Sequence, residues 1–337
     1  MATCDIGIDL GTSSVIIAIN GKIVLDEPAV VAVNMDTDEL KAVGRYAFDM
    51  IGRTPENIIA THPIVNGVIS DYRLNEIMIQ EFLKKVSNAM LMKPRVVISV
   101  HSLITDVERR AVVDAAVAAG ARQVHLIDEP IAAALGAGID ISQPNGWMIV
   151  DIGGGTTDAA VISLNGIVKS ESIKTGGSNM DEGIIKYILM KHKLHIGQRM
   201  AEQIKIEIGT ALDPQPGISA TVKGRNAYNG LPQMVTVTQE EIYEAIHDNL
   251  DRIVQAVKDV LEQTPPELIG DVHTNGIILA GGGALMANMS ELLEAETGIH
   301  TSLAEEPLEC VAKGTTMAFK MMDEFQDGFV TAVTHKH

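Results

Sequence analysis

The chain has 337 residues and 36.1 kDa, with 46% apolar and 21% charged residues. That length suits about two domains of roughly 100–200 residues, and that composition excludes a disordered chain. The 26 Lys and Arg stand against 44 Asp and Glu, a formal charge of −18 with only 3% aromatics, which excludes phosphate-backbone binding and base stacking as the main function, so no nucleic-acid partner is expected.

Two cysteines, Cys4 and Cys310, give no disulfide framework and no zinc spacing. The N-terminus carries Asp5 and Asp9 and no Lys or Arg before Lys22, the wrong charge pattern for a secretory signal. No uninterrupted apolar run approaches the ~18–20 residues that span a bilayer. The expectation is a cytoplasmic protein.

Taken in chain order, residues 5–21 read DIGIDLGTSSVIIAING: an apolar strand ending in Asp9, a Gly/Thr/Ser turn, a second strand, then Asn20-Gly21. Asn-Gly predicts a two-residue hairpin turn, because both central positions need φ > 0. A helix is expected to end near Ser87, followed by the apolar triplet Met90-Leu91-Met92 and a buried strand over Arg95–Val100. Thr105-Asp106-Val107-Glu108 is a capping box opening a helix to about Gly120. Val124–Ile127 reads as a short strand, and Pro130 as the first turn of a helix that stops near Gly136 and Gly138. Residues 148–166, MIVDIGGGTTDAAVISLNG, repeat the plan of the first unit, with Asp151 for Asp9 and Asn165-Gly166 for Asn20-Gly21. Asp213–Gly217 is a loop. Thr238 opens a long helix whose apolar residues from Ile242 to Leu261 keep a 3.6-residue period until Pro265-Pro266. Ile277–Ala280 is a strand, and Gly281-Gly282-Gly283 turns it into a helix. Strands alternating with helices predict a mixed α/β architecture, and the repeated unit predicts two related halves.

The two hairpin turns carry the chemistry. Backbone N–H groups in a glycine turn form a concavity that binds phosphate oxygens. Thr12, Ser13, Ser14, Thr156 and Thr157 add hydroxyl donors. A carboxylate beside phosphate repels it unless a cation intervenes, so Asp9 and Asp151 imply Mg²⁺. Gly281-Gly282-Gly283 lets a base or ribose lie against backbone, or packs a helix tightly on a sheet; beside two phosphate hairpins the nucleotide reading is favoured. Glu129, between a strand end and a helix start, either orients an attacking water or interacts with the helix dipole, and Asp128 competes for the role. No GxxxxGK[ST] segment, kinase catalytic loop or GxGxxG after the first strand is present.

These residues resemble the superfamily of actin, the heat-shock ATPase domains and the sugar kinases. Asp9-Leu10-Gly11-Thr12 looks like its first phosphate motif, Asp151 to Thr157 like its second, and Gly281-Gly282-Gly283 like its adenosine motif. The chain is most similar to the bacterial actin MreB family of rod-shape-determining proteins, through segments such as MIGRTPENI (50–58), NGVISDY (66–72), IDEPIAAALGAG (127–138), VDIGGGTTD (150–158), LEQTPPEL (261–268) and EPLECVAKGT (306–315). The resemblance implies an α/β, actin-like (ribonuclease H-like, duplicated) two-domain fold with a nucleotide cleft. Domain I would hold residues 1–138 plus 310–337, and domain II residues 139–309, each with a smaller subdomain.

It also implies an ATP-binding, weakly hydrolysing protein that polymerises. Asp9 and Asp151 would organise Mg²⁺ through water, with Gly11, Thr12, Ser13, Ser14, Gly153, Gly154, Gly155 and Thr156 around the phosphates. Glu202, Gln203, Ile204 and Lys205 would border the adenosine on one side, and Gly281, Gly282, Gly283 and Ala284 on the other. Glu129 would position the attacking water, helped by Thr157. The chain departs from the family pattern at Asp128, His101, Asp158 and Ser178.

Met90, Leu91 and Met92, collared by Lys84, Lys85, Lys93 and Arg95, would insert shallowly into the inner face of the cytoplasmic membrane. Such a small wedge needs the multivalency of a filament. The implied partners are further copies of the chain and the cell-wall synthesis and elongation machinery. The alternatives are a small-metabolite kinase of the same superfamily, a non-hydrolysing scaffold, and a chaperone-type ATPase, the last disfavoured because the chain stops near residue 337.

Overall fold

The computed structural model describes residues 5–87, 93–102, 104–322, 324, 325 and 329–332. Cys4 and the triplet Met90, Leu91 and Met92 lie outside the described residues. Two sheets organise the chain. In the first, Asp5–Leu10 pairs antiparallel with Ser14–Ile19, which pairs with Lys22–Pro28. Its other edge runs parallel to Arg95–Val100, which runs parallel to Gln123–Asp128. In the second, Trp147–Ile152, Thr157–Ser163 and Gly166–Ile173 form the same antiparallel meander, and Ile277–Ala280 and Thr301–Leu303 form the same parallel edge. The strand order of the second sheet thus reproduces five strands of the first, and the repeat seen in the sequence is a repeat of topology.

The turn of the first hairpin is as expected, with Asn20 at φ 52° and Gly21 at φ 76°. In the second, Leu164 and Asn165 take the positive φ angles, 50° and 58°, and Gly166 is the first residue of the next strand. The turn therefore sits one residue earlier than Asn165-Gly166. Ser163 pairs with Gly166, and register on a buried strand outweighs the local preference of Leu for negative φ. Both capping boxes form: Thr105 with Glu108 opens Asp106–Ala118, and Thr238 with Glu241 opens Gln239–Gln263. Gly281 leads into a single 3₁₀ turn, Gly282–Leu285, before the α-helix Met289–Thr297.

Between the sheets lie two helices, Glu129–Gly136 and Cys310–Ala318. Ile131, Ala132, Leu135, Val311 and Ala318 join Val97 and Ile127 of the first sheet and Ile149, Ala160 and Ala280 of the second in one buried cluster. This cluster is the pivot between two domain cores, one around Ile8, Ile98 and Phe82 and one around Val150, Ile184 and Ile253. The final strand Phe329–Ala332 pairs with Gln123–Asp128, so the chain returns to the first sheet. Smaller three-stranded sheets cap each half: 31–34, 40–43 and 58–61 on one, and 194–195, 219–226 and 232–238 on the other.

The pivot helices approach so closely that only glycine fits. A Cβ on Gly314 would overlap the Ala132 carbonyl, and one on Gly136 the Cys310 carbonyl. Gly314→Ala is expected to cost about 2 kcal/mol or more, read as a lower urea midpoint. Gly270→Ala, in the helix Pro266–Asn275 with nothing near the added atom, is expected to be neutral or to stabilise by up to ~1 kcal/mol. Equal losses at both positions would remove the argument for close approach.

Candidate functional site

Parallel strands end where their ligands sit, in the crevice beyond the carboxyl ends. Asp9 lies near the carboxyl end of the first strand, Ser99 and His101 near or just past the end of Arg95–Val100, and Glu129 just past that of Gln123–Asp128. Asp151 and Gly281 occupy the matching places in the second sheet. All six line one cleft of about 850 Å³ between the two sheets.

The two glycine turns face each other across it. A Cβ on Gly154 would overlap the Ser13 hydroxyl, and one on Gly155 would crowd Thr12 and Asn66. Both glycines are needed for the turns to approach. Gly11 N–H donates to the Ser14 carbonyl at 3.0 Å, and Gly153 N–H to the Thr156 carbonyl at 2.9 Å, so both turns close in the same way. The carbonyls of Gly153 and Gly154 accept from the Gly177 and Ser178 amides at 3.0 and 2.7 Å, tying the second turn to the helix Gly177–His192. Ser178 reaches back across the cleft to Ser13, 3.5 Å between hydroxyls.

Of the expected residues, Asp9, Gly11, Thr12, Ser13, Ser14, Glu129, Asp151, Gly153, Gly154, Thr156, Glu202, Lys205, Gly281, Gly282 and Gly283 line the cleft. Five others do not. Gly155 is where the turns pack on each other. Thr157 is fully buried, and its hydroxyl donates to the Thr175 carbonyl at 2.8 Å. Ile204 and Ala284, each 1% exposed, belong to the second core. Gln203 points to solvent. On the helix Gln198–Ile208, Glu202 and Lys205, three residues apart, line the cleft with Ile206 and Glu207, and the intervening Gln203 and Ile204 face elsewhere. Lys205 pairs with the buried Asp181 at 2.8 Å and donates to the Gly177 carbonyl at 2.8 Å. At the cleft mouth, Arg199 reaches Asp49 at 3.4 Å and stacks on Phe48, so the helices Arg45–Met50 and Gln198–Ile208 touch across the opening.

Sequence reasoning missed the hairpin tip at Asn66-Gly67. Gly67 N–H donates to the Thr12 hydroxyl at 3.0 Å, His101 Nε2 meets the Gly67 carbonyl, and Asn66 accepts from Asn179 of the other half at 3.2 Å. The signal was present: Asn-Gly between Ile64-Val65 and Val68-Ile69 is the same two-residue hairpin pattern, with φ 50° and 72°.

Three carboxyls, Asp9, Glu129 and Asp151, line the cleft, with Asp158 buried behind them. Burial pushes Asp9 up from 3.8 to about 7, with the Ser99 hydroxyl opposing from 3.3 Å and Asp26 adding to the rise. Burial, then Asp9 and Asp158, raises Asp151 well above the carboxylate range. Burial, then Asp158, Asp151, Asp9 and Asp128, does the same to Glu129. Like charges held together out of water call for a cation. Among the described residues no three His, Cys, Asp or Glu side chains converge as direct metal ligands. Two carboxylates with open space between them fit a divalent ion that keeps most of its water.

Since folded Asp9 keeps its proton to about pH 7 and an unfolded one only to about 3.8, the folded state binds more protons between those values. Its stability therefore falls as pH rises through that window. Asp9→Asn removes this titration. The melting temperature of the ligand-free variant minus that of the wild type is expected to be smallest near pH 4, to grow up to about pH 7, and then to level off. A difference independent of pH would contradict the burial of this group.

The fold and cleft agree with known proteins. The family model described as MreB/Mbl protein matches residues 3–327. The cell shape-determining protein Mbl of Bacillus cereus is 47% identical over 321 residues, covering 95% of this chain and 96% of that protein. The cell shape-determining protein MreB of Escherichia coli is 47% identical over 330 residues, covering 96% and 95%. Among solved structures, MreB5 of Spiroplasma citri bound to ADP superposes with a TM-score of 0.90 at 37% identity, covering 95% of this chain and 97% of that one. Its AMPPNP-bound form gives 0.88. A MamK double helical filament subunit, 21% identical, shares the fold with a TM-score of 0.81. The duplicated sheets, the facing glycine turns and this breadth of similarity give one assignment: the chain belongs to the MreB/Mbl family and has its actin-like fold.

Proposed function

We propose that the chain binds ATP with Mg²⁺ in the cleft, hydrolyses it slowly, and polymerises into filaments that organise cell-wall synthesis and so determine cell shape. One observation carries the nucleotide reading: two matching glycine turns, each beside a buried Asp, face each other across a single cleft. The AMPPNP- and ADP-bound forms of Spiroplasma citri MreB5 and the cell shape-determining relatives support it. They favour it over the metabolite kinase. The division near residues 138 and 310 follows the same reading.

In this scheme the turns at 11–14 and 153–156 hold the phosphates by N–H and hydroxyl donors, and Lys205 and Gly281–Gly283 flank the nucleoside. Asp9 and Asp151 would hold Mg²⁺ through water, and the ion would offset charge on the phosphate oxygens. Glu129 orients a water for in-line attack. The water oxygen bonds to the γ-phosphorus, the bond to the β-phosphate oxygen breaks, and ADP and phosphate leave. Burial, then Asp158, Asp151 and Asp9, raises Glu129 well above the usual carboxylate range. A cation held there would offset those charges, and the Glu129 carboxylate is the group that accepts a hydrogen bond from the water.

Self-assembly is supported by apolar side chains left in solvent on and beside the two small sheets. Tyr46 and Tyr228 are each 80% exposed, with Met35 and Ile59 on one side and Leu231 and Met234 on the other. No described helix is long and apolar enough to cross a membrane, so attachment to the inner face of the cytoplasmic membrane falls to Met90, Leu91 and Met92. Three of the four collar residues are already paired: Lys84 with Glu81, Lys85 with Glu27, and Arg95 with Asp5. The wedge therefore acts mainly through its apolar side chains, multiplied along a filament.

With ATP and Mg²⁺ on lipid vesicles, the protein is expected to pellet as filaments visible by electron microscopy; no polymer with any nucleotide or lipid would end this reading. Glu129→Ala is expected to slow phosphate release about 10²-fold or more while nucleotide still binds. Replacing Met90, Leu91 and Met92 by Ser should leave filaments in solution and deplete them from the vesicle pellet.

A further inference from the structure

We propose that Arg199, Phe48 and Asp49 form a clasp across the cleft mouth that sets how fast nucleotide enters and leaves, without taking part in its chemistry. The inference rests on the nucleotide reading above and adds to it the control of exchange.

The clasp joins one half to the other. Phe48 and Asp49 lie on the helix Arg45–Met50, which packs on the small sheet of the first half. Arg45 N–H donates to Glu27 Oε2 at 2.7 Å and so fixes the start of that helix. Arg199 lies in the first turn of Gln198–Ile208 in the second half, a helix anchored by the pair of Lys205 with Asp181. Its Nη2 reaches Asp49 Oδ1 at 3.4 Å, and its guanidinium carbon lies 5.1 Å from the centre of the Phe48 ring. Arg45 lies against the same ring at 5.8 Å. Arg45 and Phe48 line the cleft from one side, and Glu202, three residues after Arg199, lines it from the other. The clasp therefore spans the way in.

Local forces do not explain these residues. Arg45 and Arg199 stand in the first turns of their helices, where the helix dipole disfavours a cation. Asp49 stands in a last turn, where the dipole disfavours an anion. Arg199 also holds Nη1 buried with no hydrogen-bond partner, a cost that an arginine free in water avoids. Each charge is misplaced for its own helix, and the cluster around Phe48 is what they share. The ion pair keeps 38% and 54% of its side-chain surface in solvent, so it is weak alone. With the ring stack it is worth about ten-fold in the balance between shut and open mouths. That slows passage and still lets the mouth open. The clasp joins helix to helix, whereas Glu129 and the glycine turns lie at the strand ends. A contact made equally over an empty and a filled cleft changes the two rates and leaves affinity alone.

The test uses the full chain with Mg²⁺ and a fluorescent ATP analogue. Release is timed after excess ATP is added, entry by stopped flow, and cleavage of bound ATP in a single turnover. Arg199→Ala is expected to speed release and entry together by about five-fold or more, with affinity and single-turnover cleavage within about three-fold. Asp49→Arg, which sets like charges face to face, should do the same. Adding Arg199→Asp to it should restore part of the slow exchange. Phe48→Leu, which keeps apolar volume and removes the ring, should speed exchange less. Added salt should speed exchange in the wild type and leave Arg199→Ala unchanged. Wild-type exchange in both Arg199→Ala and Asp49→Arg overturns the proposal and leaves nucleotide binding intact. Faster release with unchanged entry makes Arg199 a direct nucleotide contact and also overturns it. Faster exchange only in step with a lower melting temperature, with no recovery in the swapped pair, makes these residues part of the fold and overturns it too. No binding of the analogue by the wild type places the failure in the nucleotide reading, and the proposal falls with it.

Discussion

Repulsion among buried carboxyls governs this molecule. Asp9, Glu129 and Asp151 line one cleft from two sheets, with Asp158 buried beside Asp151, and burial or mutual repulsion raises each of them. A fold built only for stability would not place them together, since each ionised group there costs free energy. The cost makes sense where a cation and a polyphosphate enter between them. The facing N–H and hydroxyl turns supply the other half of that chemistry, because they offer donors where the acids offer acceptors.

The duplicated topology explains how two halves converge on one point. Both sheets end their parallel strands at the cleft, so a residue just past a strand end in either half faces the same space. The helices Glu129–Gly136 and Cys310–Ala318 lie where the halves join, locked by glycine contacts at 136 and 314. Glu129 therefore sits at the amino end of a pivot helix, in contact with both the chemistry and the joint. The cross-cleft contacts Ser13 to Ser178, Asn66 to Asn179 and Arg199 to Asp49 draw the halves together on the open side. Closure and site assembly are then one event, and any ligand that prefers the closed cleft shifts the whole molecule.

Much of this was legible in the residues. The repeated Asp-apolar-Gly units, the two capping boxes and the proline at the start of the pivot helix are local signals, and local signals survive folding. The sequence reading and the cleft lining differ where a side chain's direction depends on packing. Gln203, Ile204 and Ala284 border cleft residues in sequence, yet helical rotation points them to solvent or core. Thr157 adjoins the second glycine turn, but strand alternation buries its hydroxyl against Thr175. The turn at Leu164-Asn165 shows register overriding a local preference. The basic collar at 84–95 looked free in sequence, and distant acids such as Glu27 and Asp5 neutralise most of it.

By itself the sequence determined the element types, the duplication, the acidic phosphate-binding turns and the family, because these rest on composition and short-range pattern. The tertiary structure alone decided which side chains share the cleft. It brought Asn66-Gly67 and His101 over the first turn and paired Lys205 with Asp181. Those contacts join residues remote in the chain, and their geometry is set by how two independently cored halves pack about one glycine-tight pivot.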